Sequence, residues 1–167
     1  RTGSIHYKHI HMNAAQIHLA LNHAPLFLSI TGGILLLTGM FRKNELLRTI
    51  SLFMLIAAAV FTAPVFLTGE GTEELVEHLP GVSEGAIERH EDMAKISMII
   101  IAVTGVIALG ALLLRKKERL AKMLFGISLV LSVASFGTMA QTAHLGGLIR
   151  HAELQNGAVP AENEKER

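Results

Sequence analysis

The sequence predicts an all-α fold, a four-transmembrane-helix bundle with an acidic, partly helical external loop between its second and third spans. Three observations predict it. Half of the 167 residues are apolar and 17% are charged, and the apolar residues come in long blocks rather than amphipathic stripes, as in an integral membrane protein. Four of these blocks are long enough to cross a hydrocarbon core about 30 Å thick at about 1.5 Å per residue. The connections between them are sorted by charge, basic in two short turns and acidic in the long middle loop.

The chain reads as a single integral membrane domain over residues 1–167, with spans near 14–41, 46–67, 93–114 and 120–148. The first block is too long for a signal peptide and has histidines where a basic region should stand, so it is expected to remain in the protein. The stretch ahead of it begins without methionine, and further residues are expected before Arg1. The turn after the first span carries Arg42, Lys43 and Arg48 against Glu45. The turn after the third carries Arg115, Lys116, Lys117, Arg119 and Lys122 against Glu118. Both should face the cytoplasm. The loop 69–92 holds Glu70, Glu73, Glu74, Glu77, Glu84, Glu88, Glu91 and Asp92 against Arg89 alone, and belongs outside with both termini. Within it, Thr72 followed by two glutamates should start a short helix that Pro80-Gly81 ends. Ser83-Glu84 should start another that can run into the third span. The last residues, 152–167, form a polar tail.

The chain has no cysteine. That excludes disulfides, thiolate metal sites, iron–sulfur clusters and c-type haem attachment, so any metal or haem must rest on His, Met, Asp or Glu. No basic patch interleaved with aromatics points to nucleic acid. No nucleophilic triad or phosphate-binding glycine loop is present either, which makes a stand-alone enzyme an improbable reading.

All nine histidines fall in the external half of this topology. His6, His9, His11 and His78 read as interfacial or capping side chains. His18, His90 and His144 lie about 34, 37 and 36 Å from the cytoplasmic ends of their spans, hence near one level. His23 is about 7 Å deeper than His18 and turned about 140° from it, so the two share a direction only if Pro25 distorts the turn. His151, on the face of His144, is a rim group or a second layer of ligands. Ionisable side chains within a membrane span usually mark a site. Met93, Met98 and Met139 read as packing, and the paired glycines as points of close helix approach.

The pattern His18-x-x-x-x-His23-x-Pro25, a histidine entering the third span, and His144-Leu145-Gly146-Gly147 resemble a family of uncharacterised bacterial four-helix membrane proteins. Some of its members are joined to c-type cytochrome domains. The resemblance covers most of the stretch from His18 to His151 and implies redox work at the outer face of a bacterial inner membrane. The motif departs at its end, where Arg150 stands in place of an aromatic and the gap before His151 is short. The carry-over is therefore to His18, His23, His90 and His144.

Three functions follow from these residues. The first is a b-type haem electron-transfer protein, or a redox subunit of a respiratory complex, with the haem held by histidines near the periplasmic face. The second is a copper, zinc or non-haem iron site built from His18, His23, His90 and His144, with Glu91 or Asp92 nearby. The third is a cofactor-free structural subunit of a membrane complex. The expected partners are the lipid bilayer, other membrane-complex subunits or a periplasmic c-type cytochrome, and quinol. The topology is tested by labelling. A reagent that cannot cross the membrane should modify cysteines introduced at Glu77 or Glu84 from outside the cell, and labelling only after the cytoplasm is opened would reverse the orientation.

Overall fold

A computed structural model describes residues 13–77 and 82–150. It consists of helices α1 (Ala14–Leu21), α2 (Ala24–Phe41), α3 (Glu45–Val76), α4 (Glu84–Leu113) and α5 (Glu118–Arg150), with no strand among the described residues. Helices α1 and α2 are two parts of one span. The four stretches Ala14–Phe41, Glu45–Gly69, Glu84–Leu113 and Glu118–Ile149 are each long and apolar enough to cross a membrane.

Local chemistry sets the helix ends. Asn13 and Gln16 form a reciprocal capping box at the start of α1, which satisfies two N–H groups that a helix start leaves free. Asn44 caps α3 by accepting from the Leu47 N–H, and Lys43 makes the tight turn before it with φ of 53°. Pro25 has no N–H to offer the carbonyl of Leu21, and the first span breaks at Asn22-His23. Ser83 precedes α4 as the sequence suggests. The helix expected to start at Thr72 does not exist separately, because α3 runs unbroken to Val76. The hydroxyls of Thr68 and Thr72 bond back to the carbonyls of Pro64 and Thr68 along this stretch. Much of the acidic loop is thus made of the ends of α3 and α4, outside the hydropathy blocks that define the spans.

The packing is that of a protein in lipid. Phe27, Phe41, Leu67, Val106 and Val130 point outward, while the buried polar residues include Ser29, Ser51, Thr62, Ser97, Thr104, Ser128, Ser132 and Ser135. With lipid outside, helix association gains little from burying leucine, so close contact and satisfied hydroxyls carry it. The Thr104 and Ser135 hydroxyls bond each other at 2.9 Å, and Ser29 and Thr62 donate to the carbonyls four residues back. The Ser128 hydroxyl finds no partner among the described residues.

Two hairpins of one design make up the bundle. The buried positions of α2 are Pro25, Ser29, Gly32, Gly33, Leu36 and Gly39. In α4 the buried positions from Ser97 onward are Ser97, Ile101, Thr104, Gly105, Ala108 and Ala111, each 72 residues after its counterpart. The second helices repeat in the same way at 77 residues, with Ser51, Leu55, Ala58 and Thr62 matched by Ser128, Ser132, Ser135 and Met139, all buried. Helix α2 packs on α3 and α4 on α5 within the hairpins, and α2 on α5 and α3 on α4 between them. Both hairpins start at the same end, so they are parallel repeats about an axis along the bundle. We call the end carrying residues 70–92 the loop end and the opposite one the turn end.

At the turn end Arg48 joins the hairpins. Its Nε donates to the Gly39 carbonyl at 3.1 Å, and its guanidinium lies 5.5 Å from the centre of the Phe125 ring. Between the hairpins glycine permits contact: a Cβ on Gly33 would stand 2.5 Å from Ser132 Oγ, and one on Gly105 would collide with the Ala59 methyl. Gly137 has nothing within 4 Å of that position. Gly105→Ala should therefore cost about 1–3 kcal/mol by overpacking, whereas Gly137→Ala should be neutral or stabilise by up to about 1 kcal/mol. Thermal unfolding of both variants in one detergent checks this, and equal midpoints would mean that the helices separate freely at Gly105.

Candidate functional site

The repeat brings one histidine from each hairpin to the loop end of the bundle axis. His18 stands seven residues before Pro25, and His90 seven before Ser97, so the two imidazoles occupy equivalent places. Each meets the second helix of its own hairpin. His18 Nδ1 lies 2.9 Å from the Val65 carbonyl oxygen, and His90 Nδ1 lies 2.9 Å from that of Thr142. A carbonyl oxygen only accepts, so Nδ1 carries the proton in both rings and donates it. In the neutral form of each ring Nε2 is then the nitrogen with a free lone pair. A metal-ligating histidine is held in this way, with one nitrogen tied to an oxygen acceptor and the other free for the metal.

Glycines make room for both rings. Four residues after each accepting carbonyl, one turn along the helix, stands Gly69 in α3 and Gly146 in α5. A Cβ on Gly146 would come within 3.1 Å of His90 Cε1, and one on Gly69 within 3.7 Å of His18 Cε1. The Thr142 side is braced further. Ser97 Oγ donates to Thr142 Oγ1 at 2.9 Å, and that hydroxyl in turn donates to the Thr138 carbonyl at 2.9 Å. On the other side Thr68 Oγ1 shares the Val65 carbonyl with His18, at 3.2 Å.

The two rings line one cleft, whose walls again come in equivalent pairs: Leu26 with Met98, Thr62 with Met139, Phe66 with Ala143. It has about 80 Å³ of room for water-sized contents within about 600 Å³ of empty space, open mouth included. The other sizeable depression, at the turn end between Lys117 and Met123, is an open surface without an imidazole.

His23 lines the same cleft and stands at the break between α1 and α2. Its Nδ1–H is donated to Asn22 Oδ1, and its exposed ring stacks on Phe27 with centroids 6.5 Å apart. His144 is exposed and lies off the cleft lining. Its counterpart in the first hairpin is Leu67, itself 76% exposed on the outward surface. Glu91 bonds Lys95 at 2.8 Å, and neither Glu91 nor Asp92 lines the cleft. Among the described residues no three His, Asp or Glu side chains gather as a ligand set. His6, His9, His11, His78 and His151 lie outside the described residues.

A family model for predicted membrane proteins, DUF2231, matches residues 14–152. The chain belongs to the DUF2231 family. The match takes in all five helices and therefore both halves of the repeat. No curated protein sequence and no solved structure matches the chain. The parts of the site that sequence reasoning missed in this DUF2231 protein are the Val65 and Thr142 carbonyls and Gly69. One signal pointed to them, a glycine fifteen residues after each key histidine, Gly33 after His18 and Gly105 after His90.

The tautomers can be measured. Nitrogen chemical shifts of ¹⁵N-histidine-labelled protein, above the titration range of imidazole, should show His18 and His90 protonated at Nδ1. The usual mixture dominated by Nε2–H would mean that neither ring is held by its carbonyl.

Proposed function

We propose that the protein is a b-type haem electron carrier of the bacterial inner membrane, in which His18 and His90 would hold the haem near the periplasmic face. One observation carries this reading: two imidazoles at equivalent places of the two hairpins, each fixed through Nδ1 and each with Nε2 free on one cleft. Haem iron takes four nitrogens from its macrocycle and one or two ligands from protein, so two histidines suffice. A lone zinc or non-haem iron ion generally needs three or four. The apolar walls, Leu26, Phe66 and Met98 among them, suit a flat macrocycle and would tune its potential by excluding water. Bound there, haem supplies reversible one-electron chemistry.

The chain's own residues do the rest. Val65 and Thr142 orient the imidazoles, and Ser97 steadies Thr142. The charge sorting of the turns supports a periplasmic position for the cleft, and electrons would then pass along one face of the membrane rather than across it. The acidic ends of α3 and α4 favour a partner with a basic rim, and a c-type cytochrome has the right chemistry.

Copper is the second reading, and Met98 and Met139 favour it. Two imidazoles with two thioethers form a soft donor set that selects Cu(I).

An absorption spectrum and a metal analysis of the purified protein separate the two. The haem reading expects a reduced-minus-oxidised b-type spectrum that is lost in His18→Ala and in His90→Ala but kept in His144→Ala. Haem retained in the double variant of His18 and His90 overturns the ligand assignment. Copper bound without haem, and weakened by Met98→Leu with Met139→Leu, establishes the second reading instead.

A further inference from the structure

The two hairpins differ where the cleft meets the outside. Ala59 packs on Gly105 of α4, and Phe66, seven residues on, lies on the same face of α3. Phe66, half-buried, lines the cleft from that face. Its counterpart in the second hairpin is Ala143, small and exposed. A phenyl ring thus narrows the cleft at one wall where an exposed methyl group stands at the equivalent place of the other.

The mouth is polar in the first hairpin, where His23 and Asn22 line the cleft, while Lys95, which replaces His23 in the second hairpin, lies off the lining and pairs with Glu91. His23 donates its Nδ1–H to Asn22 Oδ1, which leaves Nε2 as a proton acceptor. It is not gathered with the other two histidines into a three-ligand set, so it is free for another task. The surface around it is apolar, with Leu19 64% and Phe27 62% exposed. What reaches this mouth comes from the lipid phase and must offer a flat apolar body with a donor group for an imidazole.

We infer that the gap between α5 and the break in the first span admits a lipid-soluble hydroquinone, and that His23 Nε2 accepts its hydroxyl proton. This rests on the haem reading, since the haem is the oxidant. The two hydroxyl protons would pass in turn to His23, which releases the first to water before it takes the second. The two electrons would pass in turn to the bound haem, reoxidised between them by the periplasmic partner, so that the hydroquinone leaves as quinone.

Two measurements on the whole protein in lipid nanodiscs test this. In the first, a photoreactive azidoquinone is crosslinked and the labelled peptides are mapped. Label is expected near Asn22–Leu26 and Thr142–Leu145 and should be lost in Ala143→Phe, which installs the ring of the equivalent place in the first hairpin. In the second, haem reduction by decylubiquinol is followed by stopped flow. His23→Gln should slow it at least tenfold, in line with the loss of a general base, and abolish its solvent deuterium isotope effect, while the spectrum and midpoint potential stay unchanged. Label spread over the lipid surface, or equal rates in wild type and His23→Gln, overturns the inference and leaves the haem reading intact. A preparation without haem in which the azidoquinone still labels the mouth selectively overturns the haem reading and the oxidation that depends on it, and keeps the mouth as a quinone site. One without haem or selective label overturns both.

Discussion

Every other feature of this bundle depends on one constraint: inside a membrane, polar groups must find their partners within the protein. Imidazoles at the loop end meet it through backbone carbonyls, and serines and threonines along the axis meet it mostly through the carbonyl a turn back. These bonds allow helices to touch at hydroxyls and glycines instead of at large side chains. The large side chains then face lipid, as Phe27 and Val106 do. A histidine held by a carbonyl one helix away is consequently part of the packing and of the site at once. Gly69 and Gly146 show the cost of this double role, for a Cβ on Gly146 would press on the imidazole that the carbonyl one turn below it holds.

How much of this is legible in the sequence differs by level. The four spans are legible because transfer into lipid depends on composition summed over about 20 residues, which needs no tertiary information. The start of α4 after Ser83 is equally local. Helix ends beyond the hydropathy blocks are harder, and the passage of α3 through Thr72 is an example: a residue that can cap a helix start also bonds its own i−4 carbonyl when the helix continues. The common level of His18 and His90 follows from counting residues. Their direction does not, since it depends on which carbonyl each ring meets.

The repeat was hidden for a physical reason. Over positions 18–39 against 90–111, only His18, Gly33 and Leu37 have identical counterparts. What is kept is burial, and burial can be satisfied by Ser29 or Ile101, by Gly32 or Thr104, by Leu36 or Ala108. Residues of different size at equivalent places need compensating changes on the facing helix of the hairpin. Leu55 has Ser132 as its counterpart, and Gly32 with Leu55 has Thr104 with Ser132. The first hairpin packs a leucine over a glycine, and the second replaces both with residues of intermediate size. His144 shows the converse, a histidine at the depth of the other two that stands off the cleft lining, at the place equivalent to the exposed Leu67 of α3.

The two ends of the axis do different work. At the turn end Leu36, Leu52, Leu55 and Phe125 fill the space between hairpins, with Ala108, Ala111 and Ala121 among them, and Arg48 closes over Phe125. That end resists separation of the hairpins. At the loop end the axis carries a cleft, and the side chains around it hold to their own hairpin, His18 to α3 and His90 to α5. None of the hydrogen bonds described ties His18 to the second hairpin or His90 to the first. A ligand joining the two Nε2 atoms would supply the missing connection across the axis and would stabilise the folded protein in proportion to its affinity. The arrangement is that of a clamp with a fixed hinge at the turn end, and its open jaw is where the two imidazoles stand.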